Sequence, residues 1–232
     1  MIALITSTLV PQNTYSLFTP PERLTQTIMT IGKLVEAGFT GIYLFDNSLS
    51  SINTAALKNE FEPLKIFHSP QYTFKNKGLN EALLILNNLH NLPSDSPIFK
   101  ISGRYYPTPL FSKDIWYLNQ EKDFVGVGYD FDKKIAGFST KAYFVKNKDI
   151  LASTLVKAVE DMVSYSKGIH GIKSAANAIK EIFKPTIGTG YQLSMEQSFA
   201  RILKQQQNYH LVKKMNIEGF EASSLNHSLF SE

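Results

Sequence analysis

Short apolar runs take turns with helix-spaced apolar stripes through the first hundred residues. Residues 2–6, Ile-Ala-Leu-Ile-Thr, read as a strand, and a polar loop over 7–18 containing Pro11 follows. Thr19-Pro20-Pro21-Glu22 then combines a Thr N-cap, prolines in a first turn and Glu at the capping-box position. Leu24, Ile28, Ile31 and Val35 recur at helical spacing as the expected inner face, and Gly38 is placed to end the helix. A second strand over 41–45 runs into Asp46-Asn47-Ser48. A short helix over 53–60 and a third strand over 64–67 come next. A loop over 68–77 leads to a helix over 78–89 with Leu79, Ala82, Leu83 and Leu86 inward. The fourth strand is Ile98-Phe99-Lys100-Ile101.

The second half changes rhythm. Residues 124–128 and 138–145 form two strands of a hairpin around the polar segment 129–134. Asp149 is placed to cap a helix whose inner face is Leu151, Leu155, Ala158, Val159 and Met162. A further helix spans about 173–183, and 187–191 is a glycine-rich loop or short strand. Ser194-Met195-Glu196-Gln197 opens a last helix that runs to about Lys204. Strands alternating with helices imply an α/β fold with a mostly parallel central sheet flanked by helices, followed by a β-hairpin and C-terminal helices. The organisation expected is one domain over 1–220, with halves 1–112 and 113–220, and a loose tail over 221–232.

Composition narrows this little. Hydrophobic content of 43% with 19% charged residues is that of an ordinary globular chain. The absence of cysteine rules out disulfides, thiolate metal sites and a cysteine nucleophile. No run reaches membrane length, so a soluble, cytoplasmic protein is expected. A net charge of +4 fits anionic small molecules and transient contact with an anionic membrane. The lysines are scattered and no nucleic-acid motif is present, so nucleic acid is not expected as a partner.

The chemistry concentrates in 97–107, Pro-Ile-Phe-Lys-Ile-Ser-Gly-Arg-Tyr-Tyr-Pro. Here a strand breaks at Ser102-Gly103 and presents Arg104, Tyr105 and Tyr106 at once, as open α/β sheets present ligand-binding groups at their carboxyl edge. Gly103 permits close backbone approach, and the Arg104 guanidinium can fork onto phosphate oxygens. A plainer reading of the same residues is a strand, a turn and a solvated arginine.

Residues 1–145 resemble the nucleotide-binding half of the GT-A glycosyltransferases. The matching residues are the first strand with Thr6-Ser7-Thr8, the second strand ending in Asp46-Asn47-Ser48, and Asn76-Lys77-Gly78 with Ala82, an Asn-x-Gly-x-x-x-Ala-like segment. The stretch 99–106 also resembles a Lys-x-Ser-Gly-Arg-Tyr signature of bacterial surface-polysaccharide transferases. The resemblance implies a nucleotide-sugar site built from Thr6, Ser7, Thr8, Asp46, Asn76, Lys77, Gly78, Ser102, Gly103 and Tyr105. In it Asp46 sits near the base or ribose; read from the residues alone, Asp46 makes an Asx turn with Ser48. The helix start at Asn76-Lys77-Gly78 suits an anion, or is an ordinary cap.

The chain departs from the family after the fourth strand. Many GT-A enzymes carry Asp-x-Asp there to hold a divalent metal, whereas this chain has Ser102-Gly103-Arg104. Lys100 and Arg104 are therefore expected to neutralise the leaving phosphate, with no cofactor and no metal. A literal Asp-x-Asp occurs instead at Asp130-Phe131-Asp132, where a divalent metal is the lesser possibility. Asp132 and Glu196 are the candidate bases for an acceptor hydroxyl; Glu196 is otherwise part of a helix cap. The five histidines, among them His170 in a glycine-flanked loop, have no metal-ligand spacing. The aromatics Tyr105, Tyr106, Phe111, Trp116 and Tyr117 are either a sugar platform or core.

The function expected is a glycosyltransferase moving a sugar from a nucleotide-sugar donor to a hydroxyl of a surface-glycan or lipid-linked acceptor. A sugar nucleotidyltransferase on a related fold is the alternative enzyme, although no glycine-rich loop follows the first strand. A non-catalytic nucleotide- or glycan-binding module of a biosynthetic complex is the alternative outside enzymes.

Overall fold

Among the described residues seven strands form one sheet, six of them running one way and one against them. The computed structural model describes residues 1–11, 18–48, 57, 60–72, 74, 76–133, 135–167, 193–220 and 229–232. In chain order the elements are β1 (Ile2–Ser7), α1 (Pro20–Glu36), β2 (Ile42–Asp46), β3 (Leu64–His68), α2 (Lys77–Asn88), β4 (Ile98–Ser102), β5 (Tyr105–Pro107), α3 (Asp114–Tyr117), β6 (Phe124–Tyr129), β7 (Gly137–Val145), α4 (Lys148–Lys167), α5 (Met195–Gln206), β8 (Tyr209–Val212), β9 (Ile217–Phe220) and β10 (Leu229–Ser231). The helix expected over 53–60 falls almost wholly outside the described residues. The helix over 173–183, the segment 187–191, His170 and His227 fall outside them entirely.

The central strands are apolar on both faces because helices cover both. Ile2, Leu4 and Ile98 pack with Leu79, Leu155 and Phe199 on the face of α2, α4 and α5. Ala3, Ile5, Phe99 and Phe144 pack with Ile31, Leu34 and Trp116 on the face of α1. The hairpin expected in the second half is β6 and β7, which pair antiparallel with a register shift between Gly126 and Gly128. The seven-stranded sheet has the order β3-β2-β1-β4-β7-β6-β8 with β7 antiparallel, and a second sheet, for which the sequence carries no visible pattern, has the order β10-β9-β5. It includes the end of the supposed loose tail, since Leu229–Ser231 pairs antiparallel with Ile217–Phe220.

Three local expectations differ from what is observed. The buried face of α1 carries Gln26, Thr27, Thr30, Ile31 and Leu34, while Leu24 and Val35 are 36% and 40% exposed. The face is rotated because this helix covers polar backbone as well as core. Thr27 Oγ1 donates to the Gly103 carbonyl at 3.1 Å and Thr30 Oγ1 to the Tyr105 carbonyl at 2.8 Å. The cap of α4 is Asn147, whose Oδ1 accepts from the Ile150 N–H, rather than Asp149. On α2 the fully buried positions include Leu84 and Ile85, with Leu83 and Leu86 only partly buried. The α1 capping box of Thr19 and Glu22 forms as read, and Ser194 pairs with Gln197 at the start of α5.

Candidate functional site: a cationic crevice at the carboxyl edge of the sheet

Register brings the ends of three parallel strands level. Ser7 of β1 pairs with Asp46 of β2, and Thr6 with Ser102 of β4. Beyond them the chain must turn, and side chains sew the turns together. Asp46 is buried: its Oδ1 accepts from the Leu9 N–H at 3.0 Å and the Ser48 hydroxyl at 2.9 Å. Its Oδ2 accepts from the Ser48 N–H at 3.0 Å, the Asx turn read from the sequence, and lies 3.2 Å from His68 Nδ1. Thr8 Oγ1 donates to Asn47 at 2.6 Å, and the Val10 N–H to the Ser48 hydroxyl at 2.7 Å. Asp46 thus spends its carboxylate on holding the loop after β1 against the end of β2.

Gly103 lies where β4, α1 and β1 meet. Its N–H donates to the Thr6 carbonyl at 2.8 Å, and an added Cβ would stand 3.0 Å from Thr27 Oγ1 and 3.2 Å from Ser7 Cβ. A side chain there would push the turn that carries Arg104 outward. Arg104 is half-buried; it donates one N–H to the Phe220 carbonyl at 3.0 Å and lies 5.6 Å from the Tyr105 ring centre. Tyr105 itself is buried in the small sheet, against Phe230.

Two further cations feel the charge of Arg104. Arg23, in the first turn of α1, donates to the Thr8 carbonyl at 2.6 Å. Burial, then the charge of Arg104, lower its pKa to about 10 against an opposing effect of Asp46, so it stays charged at neutral pH. Lys77 opens α2; burial, then Arg104 and Arg23, bring its ammonium below the usual lysine range. Arg104 thus disfavours the charges of Arg23 and Lys77 at the strand ends, beside the start of α2. An anion with several oxygens relieves that repulsion.

Asn76 and Gly78 serve the packing of this helix start. Asn76 Oδ1 accepts from the Leu79 N–H at 3.0 Å, the ordinary cap. A Cβ on Gly78 would fall 2.4 Å from Met195 Cβ, so glycine lets the starts of α2 and α5 touch.

A carboxylate that sequence reasoning passed over lies next to the cations. Glu81 Oε1 accepts from Thr6 Oγ1 at 2.5 Å, Lys100 Nζ at 2.6 Å and Ser102 Oγ at 3.2 Å. Lys100 is 1% exposed, and its ammonium also donates to Ser102 Oγ at 3.1 Å and to the Thr140 carbonyl. The three donors of Lys100 are thereby engaged inside the protein. Burial pushes the Glu81 carboxyl up, but Lys100 and the three hydrogen bonds outweigh it and hold the carboxyl below its ordinary range. Thr140 continues the chain of contacts, its hydroxyl donating to Glu196 Oε1 at 3.1 Å.

The predicted residues thus divide. Thr6, Ser7, Thr8, Lys77, Ser102, Gly103 and Arg104 come together at one edge, and Glu196 reaches it through Thr140. Asp132 is exposed in the β6–β7 turn, and Asp130 pairs with Lys133 at 2.7 Å. No group of three metal-ligating side chains occurs among the described residues. At the strand-four turn, where the family resemblance implies a metal, an arginine stands and the nearby carboxylate is tied to Lys100; this donor set does not fit a divalent cation. The aromatics are mostly core: Trp116 is buried, and Phe111 packs 4.8 Å from Phe99.

Signals for the two missed residues were present. A lysine in the middle of an apolar central strand requires a counter-ion, which Glu81 is. Arg23 stands in the first turn of a helix, where the dipole disfavours a cation, which points to an anion for it to meet.

No family model matches the sequence, and no curated protein matches it. Among solved structures the chain is similar to a nucleoside-diphosphate-sugar pyrophosphorylase from Vibrio cholerae RC9, with TM-score 0.51, 10% identity, and 98% of this chain and 97% of that one covered. It is similar to the galactosyltransferase LgtC in complex with donor and acceptor sugar analogs, with TM-score 0.51, 8% identity and 91% and 73% covered. It is also similar to a putative glucose-1-phosphate thymidylyltransferase from Bacillus anthracis in complex with a sucrose, with TM-score 0.51, 11% identity and 97% and 91% covered. At these identities the likeness is one of fold: a GT-A-like, Rossmann-type α/β sandwich with a mostly parallel central sheet.

Proposed function

We propose that the chain is a glycosyltransferase that takes a sugar from a nucleoside-diphosphate sugar and places it on a hydroxyl of a glycan or lipid-linked acceptor. The observation that carries this reading is the placing of Arg23, held by the Thr8 carbonyl, Lys77 at the start of α2 and Arg104 just beyond β4, all at the carboxyl edge of the parallel strands. Open α/β sheets bind nucleotides at this edge, and the charge suits a diphosphate. As the bond to the sugar breaks, negative charge grows on the leaving diphosphate. Fixed cations aimed there stabilise the transition state without reorganising. Glu196, held by Thr140, is the residue assigned to take the proton from the acceptor hydroxyl. The surface-glycan assignment of the acceptor rests on the Lys-x-Ser-Gly-Arg-Tyr-like stretch at 100–105.

A sugar nucleotidyltransferase is the second reading, favoured by two of the three similar folds. Against it, β1 is followed by Thr8-Leu9-Val10-Pro11, with no glycine to let backbone close around a triphosphate. The test is to incubate the protein with nucleoside-diphosphate sugars, and separately with nucleoside triphosphates plus sugar 1-phosphates, all in EDTA and in magnesium. Release of nucleoside diphosphate from the first set supports the transferase. Release of pyrophosphate from the second set replaces it with the nucleotidyltransferase.

A further inference from the structure

Glu81 has one oxygen spoken for and one left over. Oε1 takes all three internal donors, Thr6, Lys100 and Ser102, while Oε2 has no hydrogen-bond partner among the described residues, and the side chain is 23% exposed. The carboxylate is fixed by three contacts and kept ionised by Lys100, so the remaining oxygen is a held, charged acceptor on a partly exposed side chain at the strand ends. Its position follows from register. Thr6 and Ser102 are paired residues of β1 and β4. The carbonyl that holds Arg23 belongs to Thr8, and Arg104 is two residues beyond Ser102. Lys77 is one helical turn before Glu81 on α2, on the same face. Glu81 therefore lies one layer further into the crevice than the cations, on the order of 3–7 Å along the strands.

We propose that Glu81 reads the sugar of the donor, its Oε2 accepting hydrogen bonds from ring hydroxyls while the diphosphate rests on Arg23, Lys77 and Arg104. This rests on the donor-site reading above and assigns the specificity residue within it. A neutral hydroxyl is the fitting partner. The charge of Glu81 is already balanced by Lys100, and a cationic ligand would meet Arg23, Lys77 and Arg104 as well. A hydroxyl donating to a carboxylate makes a charge-assisted bond, and a site built around such a bond rejects an analogue that lacks the hydroxyl. Lys100, with no donor to spare for the ligand, acts by positioning Glu81.

The test compares binding of a nucleoside diphosphate with binding of its sugar conjugate by calorimetry, using UDP with UDP-hexoses and GDP with GDP-hexoses. Two variants are used. Glu81→Gln keeps the shape and removes the charge. The double variant Glu81→Leu with Lys100→Met removes the reader without leaving a buried ammonium unpaired, and keeps the test alive where the single variant fails to fold. Both are expected to bind the nucleoside diphosphate within about twofold of wild type and to lose about ten- to a hundredfold in affinity for the conjugate. A monodeoxy sugar lacking the hydroxyl that is read should lose the same factor on wild type and nothing further on the variants. Parallel losses for both ligands, or equal binding of the conjugate by variants and wild type, overturn the proposal while leaving the cationic site standing. Failure of wild type to bind any of these nucleotides overturns both.

Discussion

Lys100 and Glu81 show how one residue can constrain a whole site. A lysine ammonium at the centre of a sheet is tolerated only when each of its protons has an acceptor, and here these are a carboxylate, a hydroxyl and a backbone carbonyl. Lys100→Met alone strands Glu81 against apolar surroundings and should cost about 3 kcal/mol, the lower end for breaking such a pair because Glu81 is partly solvated. Replacing both partners with apolar residues should recover most of that. Urea unfolding of the three proteins checks it. The pair also sets an acid limit. The Glu81 carboxyl is depressed in the folded state, so its contribution is fully present above the ordinary Glu value of about 4.3. It is lost as pH falls below that through the depressed folded value. Wild type should therefore lose stability more steeply below about pH 4.3 than the doubly substituted protein. The sequence offered Lys100 to a leaving phosphate, but its ammonium is spent inside the protein on Glu81, nineteen residues away on a helix, and only the packing of α2 across β1 and β4 brings them together.

At the scale of elements, α1 and α2 do different work from what their apolar stripes suggest. The buried face of α1 carries threonines because the turn after β4 leaves the Gly103 and Tyr105 carbonyls needing donors. Thr30→Val keeps the volume and strands the Tyr105 carbonyl, so it should cost about 1–3 kcal/mol, and a matching loss of melting temperature reports it. Hydrophobic periodicity assigns Leu24 and Val35 inward for want of any rule that a helix covering a turn needs hydroxyls. Caps were legible where chemistry is local, as at Thr19 with Glu22; at α4 the sequence pointed to Asp149, and Asn147 two residues upstream takes the role. The helix start at Asn76-Lys77-Gly78 was open to an anion or an ordinary cap, and at Gly78 an added Cβ would collide with Met195 Cβ at the start of α5. Gly78→Ala should separate the two helix starts and cost about 1–3 kcal/mol. Slower or weaker nucleotide binding should accompany that loss, because Lys77 and Glu196 ride on those helices.

For the molecule as a whole, the mostly parallel central sheet was legible and its edges were not. Alternating β and α patterns called for a mostly parallel sheet, and six of the seven strands share a direction. Strands β5, β8, β9 and β10 are three or four residues each, too short for a period to be read, and they are fixed by distant partners such as Gly219 opposite Tyr105. No helix among the described residues is long and apolar enough to cross a membrane. The crevice arises from this architecture. Parallel strands end at a common edge, the helices α1 and α2 start there, and the turn after β4 adds Arg104. Positive charge from α1, α2 and the β4 turn converges at that edge, as the proposed diphosphate site requires.

The measurement that tests it most directly is a calorimetric titration of UDP and GDP in EDTA, on wild type and Arg104→Ala, at two salt concentrations. The account predicts that one nucleoside diphosphate binds wild type without metal and that raising the salt weakens it. Arg104→Ala should bind it about tenfold or more weakly while keeping a cooperative thermal transition in the absence of ligand. Binding that requires a divalent metal, or that is indifferent to Arg104, would contradict it.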